Sequence, residues 1–224
     1  MPREGYQEKL RSLREDILYM SEIVLERLRM GLDALERKDE DLAWDVIEGD
    51  HEVNEMYLEL EGDCVDLLAL QQPVAGDLRL IAASFKIITD LERIGDLATN
   101  LGDYSLDAQR DVFPEVDIQS IGTATIEMVE AAMDAYAAED AASCFEIGDR
   151  DDGIDEMCER ASETVARELI EREDVDSEAE IQRLMGDVHR LLLTIRDLER
   201  VGDHAVNIAA RTLYMVESDD DLLY

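Results

Sequence analysis

The chain has 224 residues, with 21 Lys+Arg against 57 Asp+Glu, a formal net charge of −36 and a sequence pI near 4.1. That balance excludes a nucleic-acid binder of the usual kind, which needs clustered Lys and Arg to displace phosphate counterions, and it disfavours an anionic membrane surface for the same reason. It does not exclude folding: 46% of residues are hydrophobic and there are only 12 Gly and 3 Pro, a composition that can close a core and bury roughly 70% of the unfolded surface.

Apolar residues recur at heptad-like steps in every long segment and never alternate for long, so the expected fold is all-α. Leu10, Leu13, Ile17, Met20, Val24, Leu28 and Leu35 mark a first helix. Asp39 is placed to cap a second, marked by Leu42, Val46, Val53, Met56, Leu60 and Leu67. Gln71-Gln72-Pro73 breaks it, because proline disfavours helical geometry in the residue before it. A third helix carries Leu78, Ile81, Phe85, Ile88, Leu91 and Ile94 to about Asp107, and residues 109–116 read as a linker. The plan then recurs: a fourth helix from about Ile118, a cap at Asp140, a long fifth helix to about Arg172, a turn, and Ser177–Glu180 as a capping box opening the sixth.

The recurrence extends to identities. DLERIGDLATN at 90–100 matches DLERVGDHAVN at 197–207 at eight of eleven positions with an offset of 107, and Asp33, Asp39, Asp50 and Glu55 match Asp134, Asp140, Asp151 and Glu156 at an offset of 101. This is an internal duplication of a three-helix unit. The expected architecture is six long helices as two tandem antiparallel three-helix bundles, over 1–108 and 117–224.

Glu92 and Asp96 are i and i+4 on one helical face, as are Glu199 and Asp203, and each pair continues an apolar stripe. Asp50 and Asn54 share a face of the second helix; their repeat equivalents are Asp151 and Asp155. In a hairpin turning near Pro73, Asp50 and Asp96 each lie 23 residues from the turn, and Asn54 and Glu92 each lie 19 from it. In the second half Asp151 and Asp203 are both 26 from Ser177, and Asp155 and Glu199 both 22. Facing oxygen donors point to a hard or borderline cation. The competing reading is chance pairing on a solvated face in a chain with 57 acids.

Arg93 and Arg200 also recur, either flanking the acids or neutralising them. Gly95 and Gly202 recur mid-helix, where glycine costs roughly 1 kcal/mol, so either close packing or room for an ion is expected. Asn100 and Asn207 add a further recurring step. Asp90 and Asp197 lie about 200° from Glu92 and Glu199 and are expected in solvent. His51, His189 and His204 do not recur as ligands and are expected at the surface or its edge; Glu48-x-x-His51 occurs once.

Lys occurs only at Lys9, Lys38 and Lys86. An acidic, Lys-poor surface on a foldable core fits work in molar salt, where screening removes self-repulsion. Cys64, Cys144 and Cys158 have no CxxC spacing and are expected as packed, reduced thiols. No apolar run is long enough to span a membrane, and the first residues lack a signal-peptide core, so a cytoplasmic location is expected. No GxSxG, Walker A, GxGxxG or HExxH motif occurs, and no enzyme is expected.

With DLERIGD and DLERVGD in two three-helix repeats, and a Pro-Val-Ala-Gly-Asp-Leu-Arg lead-in at 73–79, the chain resembles the PhoU family over nearly its whole length. The resemblance implies a non-enzymatic cytosolic regulator that lowers phosphate import, docking on the ATPase subunit of the phosphate-specific ABC transporter. It also implies homodimers and, in bacteria, a phosphate-sensing histidine kinase as partner. Multinuclear iron or zinc clusters would then sit at Glu92, Asp96, Glu199, Asp203, Asp151 and Asp155, with Asp50 and Asn54 on the neighbouring helix of the first half. Asn54 departs from the acidic pattern. The rival readings are a metal-free helical scaffold and a ferritin-like oxidase or iron store, whose recurring Glu-x-x-His pairs are missing here.

Overall fold

Six α-helices follow one another in a computed structural model that describes residues 2–70, 73–107, 113, 115–172 and 177–223: α1 (Pro2–Arg37), α2 (Glu40–Leu70), α3 (Ala75–Asp107), α4 (Ile118–Ala138), α5 (Ala141–Glu171) and α6 (Glu178–Glu217), then a 3-10 turn at Asp221–Leu223. The fold is all-α, as the periodicity predicts. Gln71 and Gln72, most of the predicted linker (109–112 and 114) and residues 173–176 of the α5–α6 turn lie outside the described residues.

The predicted caps form. Asp39 Oδ1 accepts from the Leu42 amide at 3.1 Å, Asp140 Oδ1 from the Ala142 amide at 3.0 Å, and Ser177 Oγ from the Glu180 amide at 3.3 Å while donating to Glu180 Oε2 at 2.8 Å. Each satisfies amides that a helix start leaves unpaired. The turns before Asp39 and Asp140 are copies of each other, since Lys38 and Glu139 both take left-handed φ values of 53° and 54°. Two residues therefore suffice to reverse the chain in each repeat.

Within each repeat α1 packs on α2 and α3, and α4 on α5 and α6; across the repeats α3 packs on α6 and α1 on α4. One hydrophobic core runs through both, from Leu13, Ile17 and Met20 through Ile88, Leu91 and Ile94 to Leu198, Val201 and Ile208. A methyl group at Gly122 of α4 would lie 2.4 Å from Leu32 Cδ1 of α1, so glycine is what lets those helices meet. Arg29 of α1 pairs with Glu130 of α4, its own counterpart at the offset of 101, so α1 and α4 cross at equivalent points of the duplication. Leu78 is exposed despite its place in the α3 periodicity.

Candidate metal centres

The hairpin register assembles the second-repeat acids. Asp151 and Asp155 of α5 face Glu199 and Asp203 of α6 closely enough to perturb one another. Burial, then Asp155, Asp203, Asp152 and Glu199, push the Asp151 carboxyl up from 3.8 to about 6. Burial, Asp155 and Asp203 likewise raise Glu199. The surrounding carboxylates make Asp151 and Glu199 harder to ionise, and among the described residues no cation opposes the effect at either. Gly202 lies beside this group: a methyl there would sit 3.4 Å from Asp151 Oδ1 and 3.6 Å from Ile154 Cγ2. Cys158 is buried below it, its thiol pushed up to about 12 by burial and by Glu199 and Asp155.

The first-repeat acids also meet, in different company. Asp50, Glu92 and Asp96 line a cleft of about 460 Å³ together with Arg93, Thr99, Asn100 and Arg200. Burial chiefly raises Glu92, aided by Asp96 and Asp50 and opposed by Arg93 and His204. Asp96 is raised by burial and Asp50 and opposed by Arg93 and Arg200. Asn54 Nδ2 donates to Asp50 Oδ2 at 2.7 Å, and Thr99 Oγ1 donates to Asp50 Oδ1 at 3.4 Å. A methyl at Gly95 would lie 3.0 Å from Val53 Cγ1, so this glycine serves close α2–α3 packing.

Both groups lie at the rim of the core. Ile88 and Ile195 are buried one turn earlier, Glu92 is half-buried, and Asp96, Glu199 and Asp203 are exposed. In neither group do three carboxylate oxygens approach within 4.8 Å of one another. Among the described residues only Asp219, Asp220 and Asp221 do so, consecutive acids on the terminal turn. The helices bring the acids together, and the side chains stand apart.

Asp90 and Asp197 are not in solvent, contrary to expectation. Their face, opposite the acid pairs, is where α3 meets α6. Asp197 is fully buried and accepts from Asn100 Nδ2 at 3.1 Å, Tyr104 OH at 2.8 Å, and Arg196 Nη2 and Nε at 2.7 and 3.0 Å, with Arg200 Nη1 at 3.8 Å. Asp90 accepts from Asn207 Nδ2 at 3.4 Å and lies 2.9 Å from His204 Nδ1. Each repeat's Asp thus takes the other repeat's Asn, the reciprocity of a pseudo-two-fold axis. His204 is buried in this seam, contrary to expectation, where the first repeat has Leu97; His51 and His189 are exposed. The signal was available: Asp90 and Asn100 recur together as Asp197 and Asn207. Arg93 and Arg200 share the first cleft, while Arg79 Nε donates to the Met215 carbonyl at 3.4 Å. Glu48 and His51 lie exposed on α2, with His51 Nε2 3.1 Å from Glu55.

The PhoU domain family matches residues 17–105 and 118–212, one match per repeat, and each contains one of the acid pairs. The chain is 34% identical over 220 residues, 97% of its length and 87% of the relative's, to a phosphate-specific transport system accessory protein PhoU homolog from Pseudomonas aeruginosa. Its fold is similar to the crystal structure of PhoU from Pseudomonas aeruginosa, with a TM-score of 0.87, 30% identity and coverage of 96% of this chain and 100% of that one. It is also similar to the phosphate transport system regulatory protein PhoU from Streptococcus pneumoniae, with a TM-score of 0.84, 26% identity and coverage of 96% and 98%.

Proposed function

The chain belongs to the PhoU family, and from that premise we propose that it is a regulatory accessory protein of phosphate transport. In this reading it acts in the cytoplasm, docks on the ATPase subunit of a phosphate-specific ABC transporter and lowers phosphate import; a phosphate-sensing kinase is a second candidate partner, and the working form is a homodimer. The observation that carries the reading is the match of both repeats, over nearly the whole chain, to one family whose named relatives serve phosphate transport. No helix among the described residues is long and apolar enough to cross a membrane. A regulator that reaches a transporter from one side needs none.

The reading is non-catalytic. The thiols of Cys64, Cys144 and Cys158 are buried and pushed up to about 12, 11 and 12, chiefly by burial, which disarms them as nucleophiles. The exposed Glu48/His51 pair lacks a repeat equivalent, which argues against ferritin-like chemistry.

Iron or zinc fits the second repeat: Asp151, Asp155, Glu199 and Asp203 would hold it, since a cation removes the mutual repulsion that raises Asp151 and Glu199. An all-oxygen donor set suits iron better than zinc, whose structural sites favour Cys and His. In the first repeat Asp50, Glu92 and Asp96 would serve, with Asn54 as a neutral neighbour. Bound charge there would let the acidic rim present a defined contact surface.

A deletion strain tests the regulatory role. Phosphate uptake and phosphate-responsive transcripts should rise, and their failure to change would overturn it. Metal analysis of protein purified in molar KCl tests the centres, and a metal-free result would favour the scaffold reading.

A further inference from the structure

The outward face of α2 carries Trp44, His51, Leu58 and Val65 at seven-residue intervals, with Glu48, Glu55, Gly62 and Ala69 each four residues after one of them. Trp44, Leu58 and Val65 are 53%, 64% and 53% exposed, and a methyl built at Gly62 would touch nothing within 4 Å. The core face of the same helix, with Val46, Val53, Leu60, Cys64 and Leu67, points the other way. Residues seven apart stay on one face of a helix, so these side chains form a single stripe, parallel to the core stripe of Val46, Val53, Leu60 and Leu67. From Trp44 to Ala69 the stripe runs for about 38 Å.

The duplication shows that the fold does not demand an apolar residue at two of these positions, although Phe145 stands exposed at the equivalent of Trp44. At the offset of 101, α5 has exposed Glu159 and Glu163 where α2 has Leu58 and Gly62. An acid is thus accommodated at the same helical position. Leu58 thus adds its apolar surface to that of Trp44 and Val65 on one exposed helix face.

Charge selects the occupant. α2 has 11 carboxylates and no Lys or Arg, and Glu55, Glu59, Glu61 and Asp66 flank the stripe. A second copy laid along α2 would bring these acids into close, partly buried contact across the seam, where salt screens them less than on the open surface, and like charges at flanking positions disfavour pairing. We propose that the α2 stripe is a docking surface for a partner helix with an apolar seam and Lys- or Arg-rich flanks, packed along α2 as in a coiled coil. The surface stands apart from the transporter reading, because its occupant is defined by chemistry and tested without a transporter.

The probe is a synthetic, tryptophan-free helical peptide of about four heptads, with Leu at the seam and Lys at the flanks. It is titrated in molar KCl against the full chain, whose single tryptophan, Trp44, lies on the stripe. Saturable binding with a blue shift of Trp44 emission is expected. Leu58→Glu/Gly62→Glu, copied from the second repeat, should weaken it by about tenfold or more with unchanged circular dichroism, and Val65→Gln should act in the same direction. Equal or tighter binding by these variants would mean attraction by charge alone and would overturn the proposal. So would a dimer of the chain itself, seen by sedimentation and dissociated by Leu58→Glu, which would assign the stripe to a second copy. Either failure leaves the phosphate role standing, since that rests on the family match and is tested by the deletion phenotype.

Discussion

Around Asp151 every charged neighbour that shifts the carboxyl is another acid, whereas Glu92 and Asp96 share their cleft with Arg93 and Arg200. The backbone positions are copies, yet the electrostatics are not. Asn54 stands where the second repeat has Asp155, and the α3–α6 packing brings Arg200 of the second repeat to the first repeat's cleft. Duplication conserves where ligands can stand; the neighbours decide how strongly they want a cation. The second repeat should therefore bind metal more tightly than the first.

Removing the proposed metal ligands should give the largest effect. Loss of a single partner that only orients a metal ligand already costs about 10–100-fold, so Glu199→Ala/Asp203→Ala should lower affinity for the tighter metal by about a thousandfold or more. Glu92→Ala/Asp96→Ala should leave that tight binding intact and remove only a weaker phase. Titration of metal-free protein by calorimetry distinguishes the phases, and equal losses in both variants would erase the asymmetry.

The seam offers the next contrast. Asp197 is fully buried with Arg196, Tyr104 and Asn100, whereas Asp90 has His204 and Asn207 at a slightly open edge. Asp197→Ala should destabilise by about 3 kcal/mol, the low end for breaking a buried pair because Arg196 is half-exposed and can return to water. Asp90→Ala should cost about 1 kcal/mol, the loss of ordinary hydrogen bonds. Thermal unfolding in the same salt should rank them so, and equal losses would show that the two sides of the seam are equivalent.

Much of this was legible in the sequence, for identifiable reasons. Counting residues from Pro73 and Ser177 placed Asp50 opposite Asp96 and Asp151 opposite Asp203, because rigid antiparallel helices preserve register over many turns. The angle of about 200° from the acid pairs also puts Asp90 and Asp197 on the opposite helix face. That face is not solvent: helical periodicity within one repeat carries no information about what the other repeat covers. The same blind spot hid Arg200 above the first cleft and His204 in the seam. The exposure of Leu78 escaped detection too, since periodicity marks a face without saying where along a long helix the packing ends.

Restoring the missing acid should narrow the gap between the repeats. Asn54 now donates to Asp50, holding one carboxylate without adding charge. Asn54→Asp would recreate the arrangement of Asp151 and Asp155 and replace a hydrogen bond with repulsion. Metal affinity of the first repeat should rise about tenfold, the effect of one added close charge at the rim. It should not reach that of the second repeat while Arg93 and Arg200 stay in the cleft. Full equality after this single change would mean that the arginines have no influence.

The smallest effect concerns stability without metal. Asp151 titrates at about 6 in the folded chain against an ordinary 3.8, so the folded state holds its proton more tightly than the unfolded state. Between those values stability falls as pH rises, and above about 6 the penalty of the ionised cluster is fully present. Asp151 is half-buried, so solvent screening reduces that penalty to about 1 kcal/mol. Asp151→Asn should therefore raise the melting temperature of metal-free protein by about 2–4 °C near neutral pH and leave it unchanged near pH 4. Asp50→Asn should bring no such gain, because it takes away the acceptor of Asn54 and Thr99 in a cleft that already holds two arginines. Chelator-treated protein melted across the pH range in constant molar salt provides the comparison. A wild-type pH slope that persists in Asp151→Asn would place the repulsion elsewhere than in the second repeat's acids.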